Sequence, residues 1–141
     1  MEQLNQFILN HWQLCAAFFA ILLMIYINEW FTQKRSAIAL SPQMAVEKIN
    51  HEDAVVIDIR DQEAFSNGHI IKAVRASASD FDQPRMSKYK DKPIILVCPR
   101  GQQTPALANQ LKSQGFSKAM VLTGGMAAWQ TAGLPLVKGN K

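Results

Sequence analysis

The stretch Pro93 to Thr104, PIILVCPRGQQT, constrains this chain more than any other. Its first part, Pro93 to Val97, is a short apolar run rich in branched residues, the pattern of a buried strand. Cys98 to Gln103 is a tight loop that holds one thiol, one Arg and one Gly. Thr104 and Pro105 then open a helix, because Thr is a good N-cap and Pro is tolerated at the first helical position. A thiol between a strand end and a helix start lies beside unpaired backbone N–H groups and the positive end of the helix dipole. Such a place favours the thiolate, which is the nucleophilic form of cysteine. Cys98 is the candidate nucleophile on these grounds.

The chain on either side repeats this alternation of strand and helix. Ile38 to Leu40 reads as a brief strand, and Ser41-Pro42 starts a helix that runs to Asn50 with Met44, Val46 and Ile49 on its apolar face. Ala54 to Ile59 is a nearly continuous apolar strand. Asp61 to Ser66 makes one or two helical turns, stopped by Asn67-Gly68. Ala73 to Ala76 is a short strand candidate, and Asp80 to Asp91 a short helix and loop. After the thiol loop, a helix over Thr104 to Gln114 ends at Gly115, and Ala119 to Leu122 forms another strand. Gly124-Gly125 turns into a last helix, Met126 to Thr131. The alternation predicts an α/β domain with a mostly parallel sheet flanked by helices. Sites in such folds form at the carboxyl ends of strands, where Cys98 stands, and where Asp58 and Arg60 stand on another strand.

A different kind of segment precedes this domain. Trp12 to Ile27, WQLCAAFFAILLMIYI, has Gln13 as its one clearly polar residue. With its apolar flanks, a helix from Phe7 to Phe31 has 25 residues, roughly 37 Å of length against a hydrocarbon core of about 30 Å. Trp12, Tyr26 and Trp30 lie near its ends, as interfacial aromatics do. The run is apolar on all sides, which argues against a core helix with one buried face. Lys34 and Arg35 follow it directly while the leader has no basic residue, so the positive-inside rule places the N-terminus outside and the rest in the cytoplasm. A cleaved signal peptide is the rival, with Ala37-Ile38-Ala39 resembling a cleavage site. The absence of a positive n-region and the basic stretch before those alanines weigh against it. The division is therefore an anchor over residues 1–33 and a domain over 34–141, with the bilayer as one partner. Cys15, within the apolar run, reads as a packing residue.

The two cysteines lie far apart and the three His show no ligand spacing, so the sequence implies neither a disulfide framework nor a metal site. A free thiol fits a reducing compartment. Residues 33 to 141 carry 15 Lys and Arg against nine acids, a net of +6, but scattered and without aromatic interleaving. That is mild attraction to anionic lipid or small anions and excludes a nucleic-acid footprint.

Three landmarks resemble a known family. AVVIDIR with EAF and GHI (Ala54 to Arg60, Glu63 to Phe65, Gly68 to Ile70), ILVCPRGQQT, and Gly115-Phe116 with VLTGGMAAWQTAGLPL (Val121 to Leu136) are similar, in order and spacing, to the landmarks of single-domain rhodaneses. The resemblance covers about Ile38 to Val137, and membrane-anchored rhodaneses of this layout are familiar in bacteria. It implies a bacterial inner-membrane sulfurtransferase without a cofactor. Cys98 would take sulfane sulfur from thiosulfate or a persulfide and pass it to a thiol, a protein or another thiophilic acceptor. Arg100, Gly101, Gln102, Gln103 and Thr104 would contact the substrate: Gly101 lets the backbone bend close to the sulfur, Arg100 steers an anionic donor, and Thr104 caps the helix and reaches the sulfur. Asp58 and Arg60 would support the site, and His69 would hold the turn after Gly68.

The sequence departs from the family pattern at Pro99, which lacks an N–H, at Gln103, where many members have Arg, and at Lys72, where many have Gly. The first two favour weak thiosulfate turnover and motivate a second reading, a rhodanese-like module that docks a partner at the membrane. A phosphatase reading fails on spacing, since an Arg six residues after the Cys would be needed and Thr104 stands there. Whether the apolar helix pairs with another membrane protein is left open.

Overall fold

The computed structural model describes residues 1–139. Its contacts divide the chain into two compact units, Met1–Ser36 and Ala37–Lys141. Residues 140 and 141 of the expected domain lie outside the described residues.

The first unit holds two helices, α1 (Glu2–Asn10) and α2 (Trp12–Arg35). The expected single helix from Phe7 to Phe31 is therefore corrected. The chain leaves helical geometry at His11 (φ −124°, ψ 32°), and the N–H groups of Leu14 and Cys15 both turn back to the His11 carbonyl. Asn10 and His11 are poor helix formers, so a break costs little there. Trp12–Thr32, 21 residues with mean hydropathy 1.9, is long and apolar enough to cross a membrane. Its large side chains, from Phe18 and Phe19 through Met24 to Phe31, are exposed. The side chains of Lys34 and Arg35, on which the orientation reading rests, lie outside the described ones.

The second unit is an α/β sandwich. Five strands form one sheet, β1 (Ile38–Leu40), β2 (Val55–Asp58), β3 (Val74–Arg75), β4 (Ile94–Val97) and β5 (Ala119–Leu122), in the order β1-β5-β4-β2-β3, all parallel. The expected mostly parallel sheet flanked by helices is what forms. Every residue of β4 is buried, because alternate side chains enter cores on opposite faces. Ile95 and Val97 join Leu40, Phe65, Met126 and Trp129 on one face. Ile94 and Leu96 join Leu107, Ala108, Leu111 and Phe116 on the other.

Local chemistry explains the helices. In α3 (Pro42–His51), the Ser41 hydroxyl accepts from the Met44 N–H at 3.3 Å and Pro42 opens the first turn. In α4 (Gln62–Asn67), the Asp61 carboxylate accepts from the Ala64 N–H at 2.7 Å, and Gly68 ends the helix. Where a short helix and a loop were expected over Asp80 to Asp91, the chain forms two 3₁₀ helices, Ala78–Asp82 and Pro84–Tyr89. Pro84 separates them because it withdraws its N–H and restricts Gln83 to extended geometry. α5 (Thr104–Ser113) and α6 (Gly125–Thr131) complete the unit.

Candidate functional site

β4 delivers Cys98 to the carboxyl edge of the sheet, and α5 starts six residues later. The Cys98 side chain is nearly closed off from solvent, at 1 % exposure. The Gly101 N–H donates to Sγ at 3.0 Å, and the Thr104 hydroxyl lies 3.8 Å from it. Burial by itself would push the thiol up. The backbone N–H groups of Gln103, Thr104 and Gly101, with the Thr104 hydroxyl, outweigh it and hold the thiol below its ordinary range. A small cavity of about 100 Å³ is lined by Cys98, Pro99, Arg100, Gln102 and Gln103. That volume is well below the several hundred Å³ of typical small-molecule and cofactor sites, so it admits a small anion or the tip of a larger thiol.

Of the expected substrate contacts, Gly101, Gln103 and Thr104 direct backbone N–H groups at the sulfur, and Arg100 and Gln102 line the cavity wall with exposed side chains. The role of Thr104 differs from expectation. It is the first residue of α5 and not its cap; Gln103 holds the cap position in helical geometry with no side-chain bond. With the cap unused, the fully buried Thr104 hydroxyl faces Sγ instead.

Asp58 and Arg60 do not line this cavity. Their carboxylate and guanidinium pair at 2.7 Å, 1 % and 9 % exposed, and the Asp58 oxygens also accept from the Arg60 N–H and Nε at 3.0 Å. Arg60 Nη2 donates to the Gly68 carbonyl at 2.7 Å. The pair thus ties the end of β2 to the turn before His69. His69 is buried, stacks on Phe65 with ring centroids 3.8 Å apart, and bonds the Phe65 carbonyl through Nδ1 at 2.8 Å. Its backbone exchanges hydrogen bonds with Val137 in both directions, so it holds the turn as expected. Among the described residues, no group of His, Cys, Asp or Glu could hold a metal.

Sequence reasoning treated Gly124 and Gly125 as a turn and missed that they abut the thiol loop. The Met126 N–H donates to the Cys98 carbonyl at 2.9 Å and the Ala127 N–H to the Pro99 carbonyl at 3.1 Å. The signal was the paired glycine itself, since two adjacent residues without Cβ often mark a close backbone approach.

Comparisons with known proteins agree with this architecture. Residues 41–132 match the family model of the rhodanese-like domain. The chain is 33 % identical to Uncharacterized protein YibN of Escherichia coli (strain K12), over 99 % of this chain and 100 % of that protein. It is 34 % identical to thiosulfate sulfurtransferase GlpE of Pseudoalteromonas translucida, over 66 % of this chain and 89 % of the relative. Among solved structures, the crystal structure of a rhodanese-related protein from Thermoplasma volcanium superposes with TM-score 0.64 at 20 % identity, covering 72 % of this chain and 99 % of that one, and supports the fold. The buried thiol at the end of β4, the amide loop around it and the family match over most of the second unit together show that the chain belongs to the rhodanese family, with sulfurtransferases among its relatives.

Proposed function

We propose that the chain is a membrane-anchored sulfurtransferase that carries sulfane sulfur as a persulfide on Cys98. The observation that carries this reading is the convergence of the Gly101, Gln103 and Thr104 N–H groups on a buried sulfur whose ionisation they favour. The Cys98 thiolate attacks the outer sulfur of a donor. With thiosulfate, the S–S bond breaks, its electron pair leaves as sulfite, and Cys98 becomes a persulfide anion. With a hydropersulfide, the leaving group is the donor's thiolate. An acceptor thiolate then attacks the outer sulfur and restores the Cys98 thiolate. In the persulfide the charge sits on the outer sulfur, about 2 Å beyond Sγ, and an amide-lined loop suits that anion as well.

Among the described residues, Arg100 is the one cation in the cavity wall, and it is exposed. The dianionic thiosulfate therefore meets little positive potential, and persulfides are the better donors. Replacing Gln103 by Arg adds a second cation at the rim and raises thiosulfate loading. The apolar helix over Trp12–Thr32 crosses the bacterial inner membrane, with the N-terminus outside and the rhodanese domain in the cytoplasm. The identity of GlpE as a thiosulfate sulfurtransferase supports the activity class.

The test is intact mass after incubation with thiosulfate or a low-molecular-weight persulfide. One added sulfur, mapped to Cys98 and lost with Cys98→Ser, is the expected result; no added sulfur from either donor defeats the reading. Pro99, which withholds one N–H from the loop, favours a second reading, a docking module with little catalysis. A Cys98→Ser chain that fully complements a deletion would select it.

A further inference from the structure

We propose that Gly125 is a positioning residue: its missing side chain lets the start of α6 press backbone to backbone against the thiol loop, and this contact keeps the Gly101 N–H aimed at the Cys98 sulfur. The inference rests on Cys98 being the working thiol, as proposed above, and assigns a role to an element outside its loop.

The two backbones meet without an intervening side chain. A Cβ at Gly125 would lie 2.0 Å from the Cys98 carbonyl oxygen, 2.7 Å from the Gly101 nitrogen and 3.0 Å from the Arg100 nitrogen. From the other side, a Cβ at Gly101 would lie 2.7 Å from the Gly124 nitrogen and 3.1 Å from that of Gly125. Every one of these neighbours is backbone, so no flexible side chain can yield. The atoms that must move are those that set the site: Cys98 carries the sulfur, and Gly101 donates to it at 3.0 Å. The hydrogen bonds from Met126 to Cys98 and from Ala127 to Pro99 close the same seam. Pro99 can take part only through its carbonyl, having no N–H of its own. α6 thus holds the loop by its carbonyls, and the loop's N–H groups stay free for the sulfur.

Gly125→Ala should separate the seam and weaken the Gly101 contact, moving the Cys98 thiol up. The readout is the pH profile of Cys98 alkylation by iodoacetamide, followed on the Cys98 peptide of the full chain in detergent so that Cys15 is scored separately. A rise in midpoint of about one pH unit, with about tenfold less thiolate at a pH below both midpoints, is expected. Gly133→Ala is the control for backbone strain. Gly133 is also left-handed (φ 71°), yet a Cβ there meets nothing within 4 Å, so its profile should match wild type. Ala127→Pro, at the third residue of α6, removes the N–H that bonds the Pro99 carbonyl, and should also raise the midpoint.

Folded Gly125→Ala with a wild-type midpoint overturns the proposal, as does an equal shift in Gly133→Ala. Where Gly125→Ala does not fold, Ala127→Pro decides by the same criterion. Because alkylation needs no sulfur donor, a chain that never loads persulfide yet shows these shifts would refute the sulfurtransferase reading and leave this one standing.

Discussion

Replacing Thr104 by Val tests whether its hydroxyl, and not only the surrounding amides, sets the reactivity of Cys98. The substitution keeps nearly the same volume in a fully buried position and leaves the Gly101, Gln103 and Thr104 N–H groups in place. It removes one hydroxyl, 3.8 Å from Sγ. A donor that far from a sulfur anion is at the weak end for a charged partner, so its loss is worth about 1 kcal/mol. That is roughly 0.7 of a pKa unit, upward. Well below the midpoint, the thiolate fraction falls about fivefold, while the more basic thiolate that remains is intrinsically about twofold more reactive. The net alkylation rate should thus fall about two- to threefold at acidic and neutral pH and exceed wild type by about twofold at alkaline pH. The two rate–pH curves should therefore cross. Measuring the second-order alkylation rate of the Cys98 peptide across that range checks it. A parallel displacement without crossing, or an unmoved midpoint, would refute the argument and leave the amides as the sole stabilisers.

Because the folded thiol is held down, its ionisation adds stability above the ordinary thiol pKa, and that share is lost as pH falls through the lowered value. Cys98→Ser should therefore lose more Tm relative to wild type in alkaline than in mildly acidic buffer, as read by thermal melts. Arg60→Met strands the Asp58 carboxylate at 1 % exposure and should lower unfolding free energy by about 3 kcal/mol or more. Adding Asp58→Asn should recover part of that loss in denaturant titrations. Lys72 sits at φ 62°, in the left-handed region. Lys72→Gly should accordingly stabilise the domain by about 0.5–1 kcal/mol, seen as a Tm rise of a few degrees.

Much of the second unit was legible because its signals are local. IILV announces a buried strand, Ser41-Pro42 a helix start, and Asn67-Gly68 and Gly115 helix ends, each through local chemistry within a few residues. The misreadings arose where local preference competed with something nonlocal or finely balanced. Thr104 is a good cap by type, but the helix begins one residue earlier than that role needs, and a sulfur six residues away takes its hydroxyl. The apolar helix reads as continuous because Phe7, Ile8 and Leu9 stay apolar on the far side of Asn10 and His11, where the backbone nonetheless turns.

Composition and pattern alone determined the apolar span, the alternation of strands and helices, and the single thiol between β4 and α5, because periodicity and turn chemistry act over short stretches of chain. Tertiary structure decided which backbone amides reach the sulfur and what holds them there. The Cys98 loop and Gly125 are far apart in sequence, and a contact so close that a Cβ would lie 2.0 Å from the Cys98 carbonyl oxygen exists only once β4 and β5 lie side by side.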